Sequence, residues 1–293
     1  MSRTLSNLAL LLAIGLVAIP FNSPAIGQQQ YVEESPGPGD FNIVQDGKTA
    51  AICADTNDFA GVLRAAGDLR VDITRITKIS PAIVFNNEKP GTNVIIIGTI
   101  GKSPMMDQLI RKNKIDISPI AGKWESFIVQ VVPHPLPGVA SGLVIAGSDK
   151  RGTIYGIYDL SEQIGVSPWY WWADVPPKHH DALFAKPGRY VYGPPAVKYR
   201  GIFLNDEQPA LGGWAREKFG GFNHAFYTNV FELLLRLKAN YLWPAMWDNS
   251  FDTDDPLNAS LADEYGIVIG TSHHEPMMRA WKECWSRLSA WLN

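Results

Sequence analysis

The sequence predicts an α/β protein in which an N-terminal α/β sandwich precedes the first strands and helices of a (β/α)8 barrel. Two patterns carry this. Between 41 and 190, short apolar runs alternate with stretches of helical spacing, in mixed order and without a repeat. From Tyr199 the pattern becomes regular: YRGIFL, then FYTNVFELLLRLK, NYLWPAM, LADEY and GIVIGTS read as strand, helix, strand, helix, strand. Parallel neighbours need long crossovers, and helices supply them here. No glycine-rich phosphate loop follows YRGIFL, which favours a barrel over a doubly wound sheet.

In chain order, residues 1–27 read as a secretory signal: Arg3, the apolar run Leu8 to Ile19, and small residues at Ala25-Ile26-Gly27. The run is shorter than the roughly 20 residues of a membrane span. Residues 28–40 are polar and rich in Gly and Pro, as in a linker. FNIVQ and AAICA flank Asp46-Gly47, a two-residue hairpin signal. Asp55-Thr56-Asn57-Asp58 reads as a cap before the helical FAGVLRAAGDLRVDI. NVIIIGTI is apolar throughout, as in a strand buried on both faces, and Pro104 opens the helix SPMMDQLIRKN. ESFIVQVVP and GLVIAGSD are strands, and RGTIYGIYDLSEQIG is a helix. Trp169, Tyr170, Trp171 and Trp172 stand between the two regions, as a domain-interface plug or as a sugar-stacking wall.

Composition limits the function. The chain is 46% apolar and 19% charged, with a net charge of -3 and no basic run, so nucleic acid is not an expected partner. Asn258-Ala259-Ser260 is a glycosylation sequon that would place its loop on the surface. Cys53 and Cys284 fit one disulfide or two buried thiols equally.

Ligands of α/β proteins sit at the carboxyl ends of parallel strands, which selects Asn205, Asp206, Glu207, Trp243, Trp247, His273, His274 and Glu275. Adjacent strand residues face opposite ways, so Asp206 and Glu207 are not by themselves a catalytic pair. The plain alternative for Asp206 is a loop cap, and for Glu162 a solvated helix residue. His273-His274-Glu275 lacks the spacing of a zinc helix, and FDTDDPLNASLAD lacks the glycine of a calcium loop. Gly147 to Thr153 has the outer glycine spacing of a phosphate loop but no lysine directly before its Ser/Thr, and reads as a tight turn into a helix.

RGTIYGIYDLSEQIGVSPWYWWADVP, RGIFLNDEQPAL, WAREKFGGFNH, LLLRLKANYLWPAMW and LADEYGIVIGTSHHEPMMRA resemble the glycoside hydrolase family 115 α-glucuronidases over roughly Phe41 to Ala280. The resemblance implies a secreted hydrolase that releases (4-O-methyl-)glucuronic acid from glucuronoxylan with inversion, without metal or cofactor. It also implies substrate-pocket roles for Glu162, Asp206, Trp247 and His273, no nucleic-acid or membrane partner after signal cleavage, and dimerisation within the family. The implied divisions are an N-terminal α/β domain over 41–190, the start of the catalytic barrel over 197–280, and a divergent tail over 281–293. WKECWSRLSAWLN departs from the family's continuation. The general acid and base are therefore expected beyond residue 293, and the chain as an inactive N-terminal fragment. The alternative is a secreted carbohydrate-binding protein without catalysis.

Overall fold

The computed structural model describes residues 29–86, 91–271, 279–280 and 283. The expected signal segment, His273, His274, Glu275, Cys284 and nearly all of the tail lie outside the described residues.

Strands β1 (Val32–Glu33), β2 (Phe41–Gln45) and β3 (Lys48–Thr49) form an antiparallel sheet with β9 (Leu183–Ala185), in the order β1-β9-β2-β3. Asp46 and Gly47 close the two-residue turn of the expected hairpin, both with positive φ. The second half of the hairpin differs from expectation. The strand breaks at Ala50, and β4 (Ala51–Ala54) crosses into another sheet, where Ile52 and Cys53 pair with apolar neighbours. The stretch 28–40 is not simply a linker either. Tyr31 is fully buried, and its hydroxyl donates to Asp159 at 3.0 Å, so this end of the segment is anchored by packing and a buried hydrogen bond.

The central sheet also contains β5 (Ile83–Phe85), β6 (Asn93–Thr99), β7 (Phe127–Pro133), β8 (Ser141–Gly147) and β10 (Arg189–Tyr192), in the order β10-β7-β8-β6-β4-β5. β8, β6, β4 and β5 run parallel, β7 pairs antiparallel with β8, and β10 pairs antiparallel with β7 and so runs in the direction of β8. Both faces are covered, as the unbroken apolar runs require. Ile95, Ile97, Leu143 and Ile145 pack beneath α1 (Ala60–Thr77) and α3 (Lys150–Gln163). Val94, Ile96, Val144 and Ala146 pack against α2 (Pro104–Arg111) on the other side.

At α2 and α3 the helix starts follow local chemistry. Ser103 accepts from the Met106 amide with Pro104 in the first turn, and Asp149 accepts from the Gly152 amide at 2.7 Å. At α1 the expected cap is displaced. Phe59 occupies the cap position, while Asp58 accepts from Thr99 on β6 at 2.7 Å and Asp55 accepts from Asn57. A tertiary partner has taken the carboxylate that a local cap would use.

The second region contributes α4 (Leu211–Phe219), α5 (His224–Arg236), α6 (Leu257–Tyr265) and a parallel sheet, β11 (Gly201–Phe203), β12 (Tyr241–Trp243) and β13 (Val268–Ile269), in sequence order. Helix α4 has no counterpart in the sequence reading; its two glycines weaken the helical signal. Phe226, Val230, Phe231 and Leu234 of α5 share one apolar core with Ile154, Ile157 and Tyr158 of α3, so α3 is covered by the sheet on one side and by α5 on the other. At Gly61 a Cβ would stand 2.2 Å from the Glu264 carbonyl oxygen, which shows how close α1 comes to α6. Asn258 of the sequon is fully buried in α6 and donates to the Phe251 carbonyl at 2.7 Å. The surface loop expected there is a packed first turn.

Candidate functional site

The parallel strands β11, β12 and β13 bring their carboxyl ends together, with Ile202 opposite Leu242 and Leu242 opposite Ile269. Because β11 ends at Phe203, Asp206 lies in a loop, where the alternating rule for strands does not apply. It turns inward and is 3% exposed, whereas Glu207 is exposed. Its carboxylate receives three donors from the loop after β12: the Trp247 amide at 3.2 Å, the Asp248 amide at 2.8 Å and the Asn249 side-chain amide at 2.5 Å. Asp206 is thus the anchor of the second strand's loop, as its loop-cap reading anticipates. With these donors in place it positions Trp247, whose side chain is 54% exposed.

An aromatic strip leads up to this loop. Phe203 on β11 and Tyr241 and Trp243 on β12 share one face, which Tyr199 just before β11 extends, with ring centroids 5.6 Å apart for Tyr199–Tyr241 and 5.7 Å for Phe203–Trp243. Leu242 points the other way into the helical layer and is fully buried. Room for the strip comes from glycine. A Cβ on Gly270 would stand 1.8 Å from the Tyr241 hydroxyl, and one on Gly201 would stand 1.7 Å from the Tyr241 carbonyl oxygen. Sequence reasoning weighed Trp243 and missed Tyr199, Phe203, Tyr241 and Asn249. The i, i+2 spacing of the aromatics was the available signal. Behind the strand ends, Met246, Phe251, Thr271 and Arg279 line a cavity of about 450 Å³ between α6 and β13.

Glu162 does not join this cluster. It sits near the end of α3, and Lys238 lies within 3.5 Å of its carboxylate and 3.3 Å of Asp159. Lys238 precedes β12, so Glu162 is tied to the amino-terminal side of the strand whose carboxyl side leads to Trp247. The same helix buries Asp159, and burial pushes its carboxyl up to about 6 against the opposing pull of Lys238. The expected pocket therefore resolves into Asp206 and Trp247 together, Glu162 apart, and His273 outside the described residues.

The aromatic run forms a turn rather than a strand and lies against α5. Tyr170 donates to Glu232 at 3.0 Å, Trp172 donates to the Asn229 carbonyl at 3.2 Å, and Trp171 meets Trp172 edge to face at 4.8 Å. Three of its four rings are thus engaged as an interface plug, while Trp169 remains 45% exposed. Beneath the strips, two buried ionic networks fix α5 and the strand starts. Arg236 pairs with Asp72 of α1 at 2.8 Å and stacks on Tyr158. Glu125, whose side chain is fully buried, holds Arg151 at 2.5 Å, Arg200 at 2.6 Å and the Asn240 amide at 2.6 Å. Arg200 and Asn240 immediately precede β11 and β12, so this one carboxylate clamps both strands to the first region. Among the described residues, no group of three or more His, Cys, Asp and Glu is placed to hold a metal ion, and no helix is long and apolar enough to cross a membrane.

The model of glycosyl hydrolase family 115 matches residues 192–292, the segment that carries β11, β12, β13 and their loops. A solved family GH115 4-O-methyl-α-glucuronidase, BtGH115A, with specificity for decorated arabinogalactans, superposes with a TM-score of 0.68 and 35% identity over 82% of this chain. Residues 192–292 belong to glycosyl hydrolase family 115. The chain spans 30% of that glucuronidase's length. A Streptomyces plicatus N-acetyl-β-hexosaminidase is a more distant likeness, with a TM-score of 0.48 and 12% identity over 83% of this chain and 44% of the other. No curated protein matches the sequence. The family 115 assignment agrees with the resemblance read from the five motifs, and the mixed α/β fold agrees with the predicted class.

Proposed function

We propose that this chain serves a secreted α-glucuronidase that releases (4-O-methyl-)glucuronic acid from glucuronoxylan. In this reading β11, β12 and β13 begin a (β/α)8 barrel over 197–280, after an N-terminal domain over 41–190. Asp206, Trp247 and His273 belong to the sugar-acid pocket. The observation that carries the reading is Asp206 gripping the Trp247 loop at the carboxyl ends of parallel strands, within the segment matched by the family. Trp247 supplies an aromatic face for a pyranose ring, and Asp206 holds that face in place. Cleavage by inversion uses a carboxylic acid to protonate the glycosidic oxygen and a carboxylate to activate water on the opposite face. Asp206, already bonded to three loop donors, acts as a positioning residue.

The test is titration of the protein with a glucuronic-acid-bearing xylo-oligosaccharide and with glucuronic-acid-decorated arabinogalactan, alongside proton NMR of any released sugar. Binding that Trp247→Ala weakens supports the pocket, and the β-anomer as first product from the α-linked substrate would support inversion. Binding without release agrees with the expected inactive fragment as well as with the carbohydrate-binding alternative. Binding unchanged in Trp247→Ala overturns the assignment of the pocket.

A further inference from the structure

Away from the strand ends of the second sheet, the central sheet has a crevice of its own. β4 and β6 are neighbours, yet the chain leaves them in opposite directions: β4 leads through α1 to β5 at one edge, and β6 leads through α2 towards β7 on the other side of β8. The helices lie on opposite faces, α1 with Ile95 and Ile97, α2 with Val94 and Ile96. Such a reversal of strand order opens a crevice outside the carboxyl ends, and open α/β sheets bind ligands there.

A cleft of about 700 Å³ opens at this position between Asp55 and Asn57 after β4 and Asn86 after β5, and runs along α2 past Gln108 and Arg111 to Leu136 and Pro137, in the β7–β8 loop at the amino ends of the parallel strands. Across the ridge of Leu136 and Pro137 it adjoins a second hollow of about 460 Å³, which Lys112 and Lys114 line. Its rim is prearranged. Asn86 adopts a positive φ of 53°, and its amide exchanges hydrogen bonds with the Thr56 backbone at 3.0 Å and hydroxyl at 2.9 Å. Among the described residues, the side-chain amides of Asn57 and Gln108 have no hydrogen-bond partner, and Arg111, Lys112 and Lys114 have no ion-pair partner. Among the described residues, the one carboxylate lining either hollow is Asp55, which is 4% exposed and accepts from the Asn57 backbone N–H at 3.0 Å. Three cations against one carboxylate select an anionic ligand. Unspent amides beside apolar Met105, Leu136 and Pro137 suit a molecule with hydroxyl edges and apolar faces.

The geometry points to a second glycan site: the cleft beside α2 takes an acidic, uronate-bearing chain, with Arg111, Lys112 and Lys114 on its carboxylates and Asn57 and Gln108 on its hydroxyls. The choice of a uronate-bearing glycan rests on the proposed activity. The site would hold a decorated polysaccharide at a distance from the point where the sugar acid is removed.

Calorimetric titration of the intact protein decides this, with three probes: a uronate-bearing xylo-oligosaccharide, the same oligosaccharide without uronate, and polyglutamate. Combining Arg111→Ala, Lys112→Ala and Lys114→Ala should weaken the acidic oligosaccharide about tenfold or more at this site, and more salt should weaken the wild type likewise. Gln108→Ala should weaken the oligosaccharide but not polyglutamate. Hydrogen exchange should slow at 104–114 and 136–139 on binding. Unchanged affinity in the triple variant, equal binding of the uncharged oligosaccharide, or equal binding of polyglutamate overturns the site. Trp247→Ala separates the two readings. If it alone weakens binding, the cleft is refuted and the strand-end pocket stands; if the triple variant alone does, the reverse holds.

Discussion

Asp206→Ala removes the acceptor of two backbone amides and one side-chain amide at a single stroke. The residue is 3% exposed, so water does not easily replace the lost oxygens. Hydrogen bonds to a charged group contribute about 1.5–3 kcal/mol each. Taking about 1.5 kcal/mol for each backbone amide, the loop at Trp247 and Asp248 loses about 3 kcal/mol of local stability. At about 1.4 kcal/mol per factor of ten, their amides should exchange with solvent roughly a hundredfold faster. Hydrogen exchange followed by mass spectrometry reads this directly, with α3 as internal reference. A cycle with Trp247→Ala then separates positioning from contact. If Asp206 acts through the loop, its removal should cost little further glycan affinity once Trp247 is gone. Exchange at 247–248 within about threefold of wild type would refute the anchoring argument. A full additional loss of affinity in the double variant would instead place Asp206 against the ligand.

Other expectations follow from the supports beneath the site. Glu125→Ala leaves Arg151 and Arg200 without their buried counter-charge and should cost about 3–5 kcal/mol in urea unfolding; a change under about 1 kcal/mol would show that the clamp is not a stabilising element. The Asp159 carboxyl stands at about 6 in the folded protein, above its ordinary value near 4, so the folded state takes up a proton between these values. Its contribution is full below about pH 4 and lost as pH rises through about 6, amounting to at most about 3 kcal/mol. Relative to Asp159→Asn, the wild type should therefore gain stability from pH 7 to pH 5, and parallel curves would contradict this. Gly61→Ala drives a methyl group against the Glu264 carbonyl and should cost about 1–3 kcal/mol, visible as a lower melting temperature; an unchanged melt would mean that α6 yields freely.

Much of the fold was legible because its signals are local. The apolar runs of β6 and β8 announce burial on both faces, Pro104 and Ser103 announce α2, and Asp46-Gly47 announces its turn. The strand-helix rhythm after Tyr199 and the motifs within it led to the right family and to Asp206 and Trp247 as neighbours. Helix α4 was hidden by its glycines, and the sequon misled because a buried amide and a glycosylation site share the same three letters.

Tertiary structure decided which charges meet. Glu162 faces Lys238, Arg236 faces Asp72, and Glu125 faces Arg200, and none of these pairs lies within a helical turn or a strand register. It also turned Asp58 from a helix cap into a partner of Thr99 and pressed the aromatic run onto α5. By itself the sequence determined where the chain is regular and which faces are apolar, since periodicity is a property of neighbours along the chain. The destination of a long polar side chain depends on what the packed backbone brings within about 3 Å of it, and no spacing in the sequence encodes that distance.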